Sequence, residues 1–281
     1  QMCIRDRFKT HKKLQPNLIQ KYSFFNQKKS NDMTSCGRIL KFGLYQHQQD
    51  FTHSTKLEEM YTCKDRFCPF CNWRRARKLA IQGYKLLEAI QQKENIRYIF
   101  LTFTVKNPKL EDTKITIHQM NKAFERMSRS VRFKNSIAGH CKILEIHPQK
   151  DDNNFTHPHF HCLLAVRSSY FKNLYIKQEE WQEIWKTALR LDYDPSVDVR
   201  IIKADKEKDP IAKVVAEAFK YPMKSSSLYS LSWQQFEELT KQLRGLRFLS
   251  FGGILKEYRE LLKLDDVYGL DYYTNAFYDI E

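Results

Sequence analysis

The stretch Phe155-Thr-His-Pro-His-Phe-His-Cys-Leu-Leu-Ala-Val166 constrains this chain more than any other. It ends in a run of apolar and β-branched residues, the pattern of a buried strand. Side chains of a strand change face at every residue. His157, His159 and His161 therefore share one face, and Pro158, Phe160 and Cys162 take the other. Imidazoles two residues apart on one face of a strand make a ready site for a divalent cation.

The strand has regular company. Tyr98–Val105 reads as a strand and residues 113–133 as a helix, with Ile117, Met120, Phe124 and Met127 at helical spacing. His140–His147 is a second strand and 158–166 the third. Residues 178–191 form a helix carrying Trp181, Ile184, Trp185 and Leu189, and Val197–Lys203 is a fourth strand. The order β-α-β-β-α-β is that of the ferredoxin-like split arrangement. It predicts an α+β fold whose antiparallel sheet carries its helices on one face, with the histidine strand well inside. Further helices follow at about 210–221, stopped by Pro222, at 232–243, and up to about Leu264.

Folding the second and third strands into a hairpin across the turn-rich segment 148–156 brings Glu145 opposite His159 or His161. A carboxylate beside two imidazoles is a three-donor site with open positions, suited to Mg2+ or Mn2+. A Glu145 facing solvent is the competing reading. Glu217 and Tyr221 are four residues apart and so share a helix face. A tyrosine near a metal and basic residues can attack a phosphodiester. Lys220 and Lys224 can favour the phenolate or bind phosphate, and Glu217 can act as a base.

Seven cysteines, an odd count in a chain with no evident export signal, favour reduced thiols or metal ligands over disulfides. Cys36, Cys63, Cys68 and Cys71 combine a Cys-x4-Cys-x2-Cys run with an upstream thiol, the donor set of tetrahedral structural zinc. Arg74, Arg75, Arg77 and Lys78 follow on a long amphipathic helix that runs to about Glu94; they can hold phosphates or form a solvated face. The balance of 48 Lys+Arg against 33 Asp+Glu, a formal charge of +15, fits a polyanionic partner, most simply nucleic acid. Aromatic residues at 14% suit base stacking on single strands. No apolar run is long enough to span a bilayer.

These readings divide the chain into a flexible basic arm (1–32), a cysteine module with the long helix (33–95), a catalytic core (96–225) and a C-terminal helical extension (226–281). Residues 1–7 look unlike the start of a domain and resemble translated adapter sequence, and Met33 reads as a start.

Five segments in order carry a resemblance. They are Cys63-Lys-Asp-Arg-Phe-Cys-Pro-Phe-Cys-Asn-Trp-Arg-Arg75, Phe100-Leu-Thr-Phe-Thr104, His157-Pro-His-Phe-His-Cys-Leu-Leu164, Glu217-Ala-Phe-Lys-Tyr221 and Arg247-Phe-Leu-Ser-Phe-Gly-Gly-Ile-Leu-Lys256. From about Cys36 to Asp266 the chain resembles the rolling-circle plasmid replication initiators (Rep), within the HUH endonucleases. The resemblance implies that His159 and His161 bind a catalytic Mg2+ or Mn2+ with Glu145 as third ligand; His157 also fits the motif. It implies that Tyr221 nicks origin DNA, becomes linked to the 5′-phosphate and leaves a 3′-OH, and that Glu217 later activates water. The zinc element would help recognise the origin. Plasmid origin DNA, duplex and single-stranded or hairpin, would be the partner, with a host helicase and replication proteins, in the bacterial cytoplasm. Ser225-Ser226-Ser227 depart from the acidic residues expected after Lys224. The other readings are a transposase or mobilisation relaxase of the same superfamily, a non-catalytic zinc-containing nucleic-acid binder on an RRM-like sheet, and a water-using metal hydrolase.

Overall fold

The protein is described by a computed structural model over residues 11–46, 53–201, 210–219 and 225–264. Its elements in chain order begin with helices α1 (Gln15–Ser23) and α2 (Gln27–Ser35), a hairpin of β1 (Leu40–Gln46) and β2 (His53–Met60), and the long helix α3 (Pro69–Lys93). The central part holds β3 (Ile96–Thr104), α4 (Thr113–Arg129), the short α5 (Val131–Ser136), β4 (Gly139–Pro148), β5 (Thr156–Arg167), α6 (Gln178–Leu189) and β6 (Val197–Ile201). The last part holds α7 (Pro210–Ala218), α8 (Trp233–Gln242), β7 (Leu249–Gly253) and α9 (Ile254–Leu261).

The main sheet has the order β6-β3-β5-β4-β7, and every neighbouring pair is antiparallel. Its first four strands stand in the order of the split β-α-β arrangement, with the histidine strand β5 at the centre. The fifth strand, β7, is one the sequence pattern does not announce. It adds to β4 where two glycines meet a glycine: Gly253 lies beside Gly139, and Gly252 beside His140. Gly253 has φ +57°, and a Cβ there would overlap the Ala138 carbonyl, so only glycine fits. The helix expected over 113–133 breaks at Ser130, whose hydroxyl accepts from the Phe133 N–H and starts α5.

Helices cover both faces of the sheet, not one. Ile99, Leu101 and Phe103 of β3, Leu144 and Ile146 of β4, and Phe160, Cys162 and Leu164 of β5 pack with Met120 and Phe124 of α4 and Trp181 and Trp185 of α6. On the opposite face Tyr98, Phe100, Cys141, Leu163 and Ala165 pack with Leu86, Leu87 and Ile90 of α3, Val214 and Val215 of α7, and Leu255 of α9. The one-face expectation fails because both sets of alternate residues are apolar over the far half of β3, β4 and β5. A sheet apolar on both faces must be covered on both.

The stretch expected to be a flexible arm folds from Gln15 onward. Its Lys/Gln-rich composition conceals Leu18, Tyr22 and Met33, each fully buried. Tyr22 meets Phe236 of α8 edge-on at 5.0 Å, and Phe67 meets the same ring at 5.2 Å. One core thus holds side chains from Leu18 to Leu246, and residues before Met33 belong to it.

His140 supplies a test of this packing. It lies edge-on to Phe124 and Phe133 (ring centroids 5.0 and 6.0 Å), and burial pushes its pKa down to about 4. The unfolded chain therefore takes up this proton first, and stability falls as pH drops through 6.5 towards 4. Between about pH 7 and pH 5 this site costs about 2 kcal/mol. Urea unfolding of His140→Gln is expected to show an acid sensitivity smaller than wild type by that amount.

Candidate metal centres

The polar half of the second sheet face begins where α3, α7 and α9 stop covering it. The β4–β5 register pairs Glu145 with His159, Ile143 with His161 and His147 with His157. Glu145 Oε2 lies 2.6 Å from His161 Nε2 and 3.3 Å from His159 Nε2, and the two imidazole nitrogens are 3.0 Å apart. An octahedral site with ~2.1 Å bonds has edges of about 3.0 Å. The three donors thus fit one face of an octahedron and leave the other three positions open.

Hydrogen bonds orient the rings. His159 Nδ1 faces the His157 carbonyl at 3.3 Å, which can only accept. That nitrogen can donate to it, which leaves Nε2 as the atom that faces Glu145 and that, with a cation bound, would supply its lone pair. His161 Nδ1 is held by the Thr102 hydroxyl at 3.1 Å, and its ring stacks on Phe100 at 5.4 Å. The second oxygen of Glu145, Oε1, is taken by His147 Nε2. Burial raises the Glu145 pKa, but hydrogen bonds from His147, His159 and His161 outweigh it and hold the carboxyl well below its ordinary range. This answers the solvent-facing alternative: Glu145 is turned into the site and ionised.

His157 stands apart. Its Nδ1 meets Asn107 Oδ1 at 2.7 Å, and burial together with its neighbours His159 and His147 lowers its pKa. It is not among the three converging donors. His147, Thr102 and Asn107 are members that sequence reasoning did not single out, and Ser227, noted there only as a departure from the family pattern, places its hydroxyl 3.5 Å from His147 Nδ1. Only His147 left a signal, two residues from Glu145 on the same strand face.

The four cysteines also converge. Cys36 caps the C-terminus of α2, Cys63 follows β2, Cys68 is the N-cap of α3 and Cys71 lies in its first turn. The hairpin β1–β2 fills the gap between Cys36 and Cys63, closed at its base by Gly37 N–H to Tyr61 O at 2.8 Å. Sulfur separations are 3.6 Å (Cys36–Cys71), 3.6 Å (Cys63–Cys71) and 3.8 Å (Cys36–Cys68). Tetrahedral zinc with ~2.3 Å bonds requires about 3.8 Å, whereas a disulfide requires about 2.05 Å. The helix N-terminus favours thiolate, and Gln15 Nε2 points at Cys68 Sγ from 3.3 Å. The neighbouring thiols, Cys36 first, hold the Cys68 pKa well below the ordinary thiol value.

The remaining sequence candidates are dispersed. Arg75 turns back to hold the carbonyls of Lys64 and Asp65, and Arg77 lies over the Trp73 ring at 5.5 Å. Arg74 and Lys78 are half-buried on α3. Glu217 lies in α7. Tyr221, Lys220 and Lys224 lie outside the described residues. No described helix is long and apolar enough to cross a membrane.

Comparison with known proteins places the chain in a family. A family model described as Replication protein matches residues 54–277. The chain is 34% identical to a "Protein rep" of Lactiplantibacillus plantarum, over 85% of this chain and 77% of the relative. It is 35% identical to a "Protein rep" of Streptococcus pneumoniae serotype 2, over 83% and 72%. A "Replication protein" of Staphylococcus aureus shares 34% identity over 67% and 84%. No solved structure matches.

Removal of either donor set gives distinct expected outcomes. Cys68→Ser should lose one equivalent of zinc by elemental analysis and lower the melting temperature by more than about 10 °C, since the cysteines sit in the main core. Glu145→Ala and His161→Ala should weaken Mn2+ binding at least about tenfold by calorimetry, whereas His157→Ala should change it less than about threefold.

Proposed function

The chain belongs to the Rep family of replication proteins, and from that premise we propose that it initiates rolling-circle replication of a plasmid by nicking and rejoining one DNA strand at the origin. The observation that carries this reading is the convergence of Glu145, His159 and His161 on the polar half of the sheet face. Three donors that leave adjacent positions open suit a phosphodiester oxygen better than a closed structural site does.

A Mg2+ or Mn2+ ion held there would polarise the scissile phosphate and offset charge in the transition state. Tyr221 is the nucleophile: its oxygen bonds to phosphorus, the 3′-oxygen leaves, and the 5′-phosphate stays on the tyrosine. Lys220 and Lys224 favour the phenolate or bind phosphate. Glu217 takes a proton from the water that later releases the strand. Thr102 and the His157 carbonyl keep the two imidazoles aimed at the centre. The cysteine cluster is a structural zinc element, and duplex and single-stranded origin DNA are the ligands, with a host helicase and replication proteins acting on the exposed 3′-OH. The reaction belongs to the HUH type, and the chain works in the bacterial cytoplasm.

The support is chemical. The apolar part of the same face ends at Val215, Ala218 and Phe219, all buried, so Tyr221 comes two residues after an anchored Phe219. An RRM-like binder needs exposed aromatics on its central strands. Here those positions hold Glu145, His159 and His161, and Phe100 is buried against His161.

Single-stranded origin oligonucleotides labelled at the 3′ end test the reading. With Mn2+, wild type should give a labelled protein band on a denaturing gel, and Tyr221→Phe or EDTA should abolish it. Cleavage with no adduct, unchanged in Tyr221→Phe, would instead assign a water-using nuclease.

A further inference from the structure

A cleft of ≈ 950 Å³ opens between the zinc knuckle, the N-terminal half of α3 and the turn that joins α8 to β7. We propose that it is a binding track for single-stranded DNA leading to the Glu145–His159–His161 centre. The inference deepens the nicking reading and rests on a strand being presented to that centre.

The inner end of the cleft is walled by Ile143, Phe219 and Leu249. Ile143 is the direct register partner of His161 and lies two residues from Glu145 on the same face. The inner wall is therefore one register pair from the donors, and the cleft runs outward from it to Cys63 and Lys64.

Charge selects the occupant. Lys29, Lys64, Arg66, Arg75, Lys241 and Arg244 line it against only Asp65 and Glu237. Such an excess in a groove attracts a phosphate backbone. Half-buried aromatic rings accompany it: Phe25 and Phe248 also line the cleft, the latter beneath the Arg66 guanidinium. Basic side chains interleaved with aromatic ones are what a groove for unpaired nucleotides requires.

The walls are built to hold their shape. Arg66 crosses from the knuckle to the turn, donating to the carbonyls of Leu243 (2.6 Å) and Leu246 (2.9 Å), with its guanidinium on the Phe248 ring at 4.1 Å. Arg75 pins the carbonyls of Lys64 and Asp65. Lys64 is held with φ +54°, a conformation uncommon for a residue with a side chain. Arg66 and Arg75 thus spend hydrogen bonds on the frame while keeping their charge in the cleft. Lys64 and Arg244 are exposed along it and are the cations placed to meet phosphates.

The test is binding of fluorescein-labelled oligo(dT) by anisotropy, on the full chain with its zinc. The variant is Lys64→Asn with Arg244→Gln; asparagine tolerates the left-handed backbone at 64. Lys106→Gln with Lys122→Gln, near a separate concavity beside α4, is the control. The expected result is at least a tenfold loss for the cleft variant only, with the slope of log affinity against log salt reduced by about 1.4. Equal binding by cleft variant and wild type, or equal losses in both variants, overturns the proposal. So does a loss confined to duplex DNA. The phosphotyrosyl assay separates the two readings. If wild type forms no adduct and the cleft variant still loses oligo(dT), nicking fails and the track stands. If the cleft variant binds and nicks as wild type does, the track fails and nicking stands.

Discussion

The antiparallel register of β4 against β5 is the constraint on which the site depends. It sets Glu145 across from His159 and Ile143 across from His161. A slip of one residue would turn the whole alternate set to the other face. It would send Glu145 into the apolar layer of α4 and α6 and bring Leu144 to the imidazoles. An ionised carboxylate without partners in such a layer is costly, and so is an apolar side chain facing three polar groups. The chemistry of the site and the stability of the fold therefore select the same register. Burial of Phe160, Cys162 and Leu164 on the opposite side reinforces it.

The second sheet face changes character along the strands. Near the C-terminal end of β5 it presents Leu163 and Ala165 and is covered by α3, α7 and α9. Near the N-terminal end it presents His157, His159 and His161, and the cover from those three helices stops. The donors sit at this boundary, with Phe100 stacked against His161 on one side and open coordination positions on the other. Apolar neighbours lower the local dielectric, which strengthens any charge interaction at the open positions. The same neighbours raise the cost of Glu145, which three imidazoles offset by hydrogen bonding.

Much of this was legible in the sequence because it rests on period two and period 3.6. Alternation through 155–166 separated the histidines from Phe160 and Cys162, and the Cys63–Cys71 spacing marked the thiolate cluster. What was not legible rests on long-range packing. The Lys/Gln-rich composition of residues 11–35 hid three buried apolar side chains, Leu18, Tyr22 and Met33, that belong to the main core. The strand β7 hides in a Gly-Gly pair, because its role is close approach to Gly139 and His140 rather than a hydrophobic pattern. The separation of His157 from the donor trio depends on Asn107, fifty positions away, which no spacing rule reaches.

Helix α3 ties the two donor sets into one frame. Cys68 and Cys71 sit at its N-terminus, and Leu86, Leu87 and Ile90 lie on the sheet near its other end. Its 25 residues span about 37 Å. Midway is Gly83, a residue that costs about 1 kcal/mol against alanine in a helix interior. Its place is explained by Phe219, whose ring would overlap any Cβ at position 83. The absence of a side chain lets the end of α7 settle directly on α3. A helix whose N-terminal turn is held by four convergent sulfurs has little freedom to rotate or slide. The point where Phe219 rests is therefore fixed relative to the sheet. On this argument the cysteine cluster contributes to the Glu145–His159–His161 group mechanically, through the rigidity of α3, although its sulfurs make no contact with those three residues among the described residues.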